Sequence, residues 1–229
     1  MNTSGIITTF ADVEAREIQW LWYPYVPMSH ITLAIGSRGT DVNQFLYEFA
    51  SQISTGRFHT ADCAEDAILL VDGEKNSGWV KTQLEKFGAD TGKISFIPEC
   101  SISELLTAKD QIKNHTISVV IISSVENLIL TKKTIKPAEV NDLLRKLNVF
   151  ASETGCAVIL GSGILHLEGD DISRSLAEPI RRFPRSVLSV SGLDGGYTIR
   201  QTKNSLAELG KETSWTQNVH TRALDCSQG

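Results

Sequence analysis

Residues Gly36 to Asn43 read Gly-Ser-Arg-Gly-Thr-Asp-Val-Asn and follow the apolar run Ile31-Thr32-Leu33-Ala34-Ile35. A phosphate-binding loop of the form G-x-x-x-x-G-K-[ST] leads a strand into a helix and turns backbone N–H groups onto phosphate. It adds a lysine for charge and a hydroxyl for Mg²⁺. On that template Gly36, Ser37, Arg38, Gly39 and Thr40 keep the frame, while Asp41, Val42 and Asn43 stand where Gly, Lys and Ser/Thr belong. A carboxylate would face the β-phosphate, an isopropyl group replaces the ammonium, and an amide replaces the metal-binding hydroxyl. Each change disfavours a magnesium polyphosphate. The fork of donors on Arg38 could stand in for the lysine. The preferred reading is that Asp41 pairs with Arg38 and rigidifies the turn.

Other residues invite chemistry with weaker spacing. Glu74 follows the apolar run Ile68–Val71 and could activate water, although a carboxylate at a strand end is commonly just solvated. Arg174, Arg181, Arg182 and Arg185 form a basic group, the last three bracketing Phe183-Pro184, and such a group near an aromatic can contact phosphates and stack. A solvated or subunit-facing rim explains it equally well. His166, Glu168, Asp170 and Asp171 lack metal-ligand spacing, so no metal site is expected. Trp20, Trp22, Tyr23 and Tyr25 could stack bases, but packing or a subunit interface is the better reading. No Ser/His/Asp or Cys/His constellation follows from spacing.

The elements that must position these residues alternate. Apolar, β-branched runs at Ile31–Ile35, Ala67–Val71, Lys93–Ile97, Val119–Ile122, Ala157–Leu160 and Ser186–Val190 suit strands buried on both faces. Between them, helical spacing covers Asn43–Gln52, Gly78–Phe87, Ser101–Asn114 and Glu139–Thr154. Ser101 with Glu104 fits a capping box, and Gly155 fits a helix stop. This alternation predicts a three-layer α/β fold with a mainly parallel sheet. Asp194-Gly195-Gly196 reads as a hairpin turn, and Thr213–Val219 as an antiparallel edge strand.

With 229 residues and 41% hydrophobic content, the chain suits one domain, with a core over about 8–219 and a polar, frayed tail at 220–229. A net charge of −5 argues against a general basic coat and leaves room for a local patch. The four cysteines are far apart, without a C-x-x-C pair, and read as reduced thiols. No apolar stretch approaches the ~18 residues of a membrane span, and no leader pattern opens the chain. A cytoplasmic protein without membrane contact is expected.

The order of motifs resembles the RecA-like ATPases of the plasmid RepA helicase type, over roughly residues 8–219. The resemblance rests on Phe10-Ala11-Asp12-Val13-Glu14, Trp20-Leu21-Trp22, Ile31-Thr32-Leu33, the Gly36–Asn43 loop, and Ile68-Leu69-Leu70-Val71-Asp72-Gly73-Glu74. It continues through Ser118-Val119-Val120-Ile121-Ile122-Ser123, Thr154-Gly155-Cys156-Ala157-Val158-Ile159-Leu160, Arg185-Ser186-Val187-Leu188 and Lys203-Asn204-Ser205-Leu206. It implies a RecA-like three-layer α/β/α P-loop NTPase fold, with a mainly parallel sheet and antiparallel C-terminal strands. By the same resemblance Glu74 stands at the catalytic glutamate, Ser123 replaces the Walker B aspartate, and Lys203 matches the finger that reaches a neighbouring subunit's nucleotide. With Walker A and Walker B both altered, the expectation is a pseudo-ATPase with no catalytic residues, no metal and no cofactor. Such a protein would be a homo-oligomer acting on DNA or on a replication, recombination or mobile-element partner. A divergent active ATPase, using Arg38 or a lysine from another chain, and a protein-binding regulator of an active paralogue are the alternatives.

Overall fold

The computed structural model describes residues 9–57, 67–72, 77–98, 102–129, 137–163, 180–217 and 224–228. A short hairpin, β1 (Trp20–Trp22) and β2 (Val26–Pro27), precedes the first long strand, β3 (Ile31–Gly36). Then follow α1 (Val42–Ser54), β4 (Ala67–Asp72), α2 (Ser77–Lys86), β5 (Ile94–Pro98), α3 (Ile102–Thr107), α4 (Lys109–Asn114) and β6 (Ile117–Ile122). The chain continues with α5 (Val125–Ile129), α6 (Pro137–Thr154), β7 (Ala157–Ser162), β8 (Ser186–Leu193), β9 (Gly196–Asn204), β10 (Thr213–Gln217) and β11 (Leu224–Gln228).

One nine-stranded sheet carries the fold, in the order β11-β10-β9-β8-β3-β7-β6-β4-β5. From β8 to β5 every pairing is parallel, and from β8 outward to β11 every pairing is antiparallel. Parallel strands need helices on both faces, which explains why β3, β4, β6 and β7 read as nearly continuous apolar runs. Successive side chains alternate between two cores. Ile68, Leu70, Val119, Ile121, Ala157 and Ile159 pack with α1 and α2. Leu69, Val71, Val120, Ile122, Val158 and Leu160 pack with α6 through Val140, Leu144 and Leu147, each fully buried.

The first core is closed by an aromatic group that the sequence scattered over nearly 200 residues. Trp215 of β10 lies 5.3 Å from Trp22, 5.4 Å from Phe45 and 5.6 Å from Phe49, and Trp22 stacks on Tyr25 at 4.1 Å. Rings at these separations gain contact energy beyond their buried area. Trp22 and Tyr25 are therefore core residues, while Tyr23 stays exposed.

Three expectations change. The helix read over Ser101–Asn114 breaks at Ala108, where φ is −81° and ψ is 9°. Thr107 donates its hydroxyl to the Glu104 carbonyl at 2.7 Å, a local bond that competes with helix continuation. Ser101, the expected cap, lies outside the described residues. The segment read as a frayed tail carries β11, which pairs with β10, so β10 is an inner strand and not the edge. Two expectations hold in detail: Gly155 stops α6 with φ +80°, and Asp194-Gly195 forms the turn between β8 and β9 with Gly195 at φ +76°. No helix among the described residues is long and apolar enough to cross a membrane.

Candidate functional site

Between β3 and α1 the chain turns tightly and satisfies itself. Thr40 N–H donates to the Ser37 carbonyl at 2.9 Å, and Gly39 takes φ +83°, the conformation that the third position of such a turn favours in glycine. The Ser37 and Thr40 hydroxyls bond each other at 2.8 Å. Ser37 N–H donates to Val190 at 2.8 Å and Gly192 N–H donates to Thr40 Oγ1 at 2.9 Å, which ties the loop to β8. A side chain at Gly36 would start 2.9 Å from the Thr40 carbonyl.

Asp41 caps α1. Its carboxylate accepts the backbone N–H groups of Asn43 at 3.0 Å and Gln44 at 3.3 Å. These are the orphan donors that the positive end of a helix offers to an anion, and here they hold an internal one. Val42 points into the core, 4% exposed, where a lysine would have reached outward. The expected Arg38–Asp41 ion pair does not form. The cap outcompetes it, because helix N–H groups two and three residues on are fixed in place, whereas a guanidinium must be immobilised.

Asp72, Ser123 and Gly161 end three neighbouring strands with the parity that faces α1. The Asp72 carboxylate is 1% exposed and accepts the Tyr47 hydroxyl from α1. The Ser123 side chain is fully buried with its hydroxyl unpartnered, and its backbone N–H donates to Val71 at 3.1 Å. A Cβ on Gly161 would sit 2.4 Å from the Ser123 carbonyl and 2.6 Å from Leu46 Cδ1. Leu46 and Tyr47 thus press onto these strand ends. Ser123 adds no charge there.

Sequence reasoning missed two buried acids nearby. Glu126, in the first turn of α5, accepts the Ser162 hydroxyl and, at 3.1 Å, that of Ser124. Glu48 of α1 is 3% exposed and accepts the Tyr197 hydroxyl at 3.4 Å. Burial first, then the charges of Glu48 and Asp41, pushes the Tyr197 phenol above its usual range. Glu126 had a legible signal, an acid just inside a helix whose preceding serine caps it. Glu48 had none, because an acid on an apolar helix face reads as an interruption.

The basic residues divide into two groups. Arg182 and Arg185 line a pocket of about 450 Å³ with Phe183 and with Asn141, Arg145 and Asn148 of α6. Arg181 lines a second pocket, about 500 Å³, with Arg38 and Lys203. Lys203 donates to the carbonyls of Arg182 at 2.7 Å and Arg181 at 3.3 Å, so it closes a helical turn of its own chain. Burial, then the Arg185 charge, lowers its pKa. Arg145 was missed, although Asn141, Arg145 and Asn148 fall at helical spacing. Glu74, Arg174 and the His166–Asp171 loop lie outside the described residues. No group of metal-ligating side chains occurs among the described residues.

No family model matches the chain. No curated protein matches it. Among solved structures, it is similar to a KaiC-like protein from the hyperthermophilic archaeon Pyrococcus horikoshii OT3, at 16% identity and TM-score 0.64. The match covers 88% of this chain and 91% of that one. This likeness, with the sheet order above, bears out the expected RecA-like α/β fold, mainly parallel with antiparallel C-terminal strands.

Proposed function

We propose that this chain is a RecA-like domain of the RepA helicase type that has lost ATP hydrolysis. It keeps the scaffold as an oligomeric DNA-binding or regulatory protein in replication, recombination or mobile-element control. The observation that carries the reading is the Asp41 carboxylate, bonded at 3.0 and 3.3 Å to the helix donors that would otherwise meet a phosphate. An incoming triphosphate must displace that cap and then sit beside its charge. It finds no lysine at Val42 and no acid at Ser123. Each missing charge-assisted contact removes about 1.5–3 kcal/mol of binding, and the loss of electrostatic stabilisation falls on the transition state as well.

A local cationic group remains on the surface in the arginines at 181, 182 and 185, which supports a polyanionic partner over a nucleotide substrate. Calorimetric titration of the purified chain with magnesium ATP tests the reading directly. Neither binding heat nor phosphate release is expected at millimolar nucleotide. Binding in the micromolar range, or turnover above a buffer blank, would overturn the proposal in favour of a divergent ATPase.

A further inference from the structure

The four aromatic residues of the N-terminal hairpin part into two pairs. Trp22 and Tyr25 enter the core and stack at 4.1 Å, whereas Trp20 and Tyr23 meet edge to face, with ring centroids 5.3 Å apart and planes at 85°. Trp20 and Trp22 are two residues apart and would share one face of a regular strand. The β1–β2 register shifts between them, and such an irregularity re-aims a side chain. Tyr23 is 59% exposed and Trp20 is half-buried. Both line a cavity of about 760 Å³ at the start of β3, the end of that strand away from the Gly36 loop.

The lining of this cavity decides between ligands. Two rings at right angles cannot clasp a flat base between parallel faces, but they make a corner in which a rounded group meets both. Aromatic faces carry the negative part of the ring quadrupole and attract a cation within about 6 Å of the centroid. Glu17 brings a carboxylate to the same wall, and Met28 a polarisable thioether. Arg16 and His30 also border the cavity. Arg16 is engaged by Glu14 at 3.5 Å, with both side chains more than four-fifths in solvent, where water screens them. His30 Nδ1 lies 2.7 Å from the Met28 carbonyl. A carbonyl only accepts, so that nitrogen carries the proton, and the neutral ring brings no charge. A primary ammonium is strongly hydrated and gives up water at a cost. A methylated ammonium spreads its charge over apolar methyl groups and fills such a corner.

We propose that this cavity binds a methylated ammonium group, with its methyl groups against the rings of Trp20 and Tyr23 and its charge balanced by Glu17. The same group occurs on free choline-type molecules and on methylated lysine side chains. The site goes beyond the scaffold reading above and does not depend on it, because it shares no residue with the Gly36 loop or the arginine pockets.

The test is ligand-observed proton NMR on the full chain, reading saturation transfer to the N-methyl signal of tetramethylammonium, choline or a peptide carrying trimethyllysine. Saturable binding is expected, and the neutral tert-butyl analogue of choline should bind about fivefold more weakly, since it keeps the shape and loses the charge. Tyr23→Leu should lose about tenfold and Glu17→Gln about threefold. Both side chains are exposed, so these variants keep the fold, which circular dichroism verifies. Tighter binding of the peptide than of choline supports the site and assigns it to a modified side chain, and the reverse order supports it and assigns a free molecule. Equal binding of the neutral analogue would make the cavity simply apolar and overturn the proposal. Choline binding unaltered in both variants would place the cation elsewhere and overturn it too. No saturable response from any of the three cations at tens of millimolar defeats it outright. Binding of oligo-dT that depends on Tyr23, with no choline binding, would replace the cation by a base.

Discussion

The strand ends under α1 and the rim beside α6 are both rich in polar side chains, yet they treat those groups in opposite ways. Under α1, Asp41 binds its own helix, Tyr47 donates to Asp72, and Ser37, Thr40 and Gly192 bond among themselves. Beside α6, Arg145, Arg182 and Arg185 share a pocket that no carboxylate lines among the described residues. Buried polar groups are for the most part satisfied internally, as Asp72 is by Tyr47, and the Ser123 hydroxyl is the exception here. Exposed charges have no such need. The polar side chains of the first region are bonded into the fold and contribute to its stability. The second contributes little to stability and keeps its charge available.

That contrast fixes an order of mutational costs. Gly161→Ala should be the most damaging, by about 3 kcal/mol, the upper part of the range for overpacking. Its new methyl would start 2.4 Å from the Ser123 carbonyl, a backbone atom that cannot swing aside. A thermal or urea melt reads this, and a loss under about 1 kcal/mol would mean that Leu46 and the strand ends are not closed upon each other. Tyr47→Phe comes next, at about 2 kcal/mol, because it withdraws a donor from a buried carboxylate. Adding Asp72→Leu should recover part of that loss, since the group left without its donor is then gone as well. A double variant worse than the sum would show that Asp72 has a second structural task.

The sequence made the frame of both regions legible and the closure of only one. Apolar runs gave β3, β4, β6 and β7 to within two residues at either end, because parallel strands buried on both faces leave few polar positions to confuse the pattern. Glycine announced the turns at Gly155 and Gly195 through its left-handed φ. What Asp41 does was not legible. Its charge could pair with Arg38 or cap α1, and only the spatial position of two N–H groups decides. The split of the arginines was hidden for a similar reason: Arg181 and Arg182 are neighbours in sequence, but adjacent side chains on a turn point apart. The Trp215 cluster, drawn from β1, α1 and β10, has no local signature at all.

Asp41→Ala sharpens the comparison because it should move the first region toward the second. Losing the cap costs about 1 kcal/mol, and it also returns the Asn43 and Gln44 N–H groups to solvent. Inorganic phosphate should then raise the melting temperature of Asp41→Ala more than that of the parent protein, by binding the exposed helix end. Asp41→Asn keeps an acceptor for the cap and should melt close to the parent. An equal response to phosphate in Asp41→Ala and the parent would mean that the carboxylate is not what closes the site.

The smallest effect is the most discriminating. Arg145→Ala and Arg182→Ala should each change stability by no more than about 0.5 kcal/mol, as exposed side chains outside any bonded network do. The sign should be favourable at low ionic strength, because each removes one of several clustered like charges, and Arg145→Ala also places the best helix former in α6. Salt separates the two contributions. Near 1 M, where the screening length falls to about 3 Å, the gain from relieved repulsion disappears and only the helix contribution at position 145 remains. Arg182→Ala then melts with the parent. A loss of about 1 kcal/mol or more in either variant would mean that the guanidinium groups are bonded into the structure. The rim would then belong with the strand ends under α1, as a place where polar groups are consumed by the fold itself.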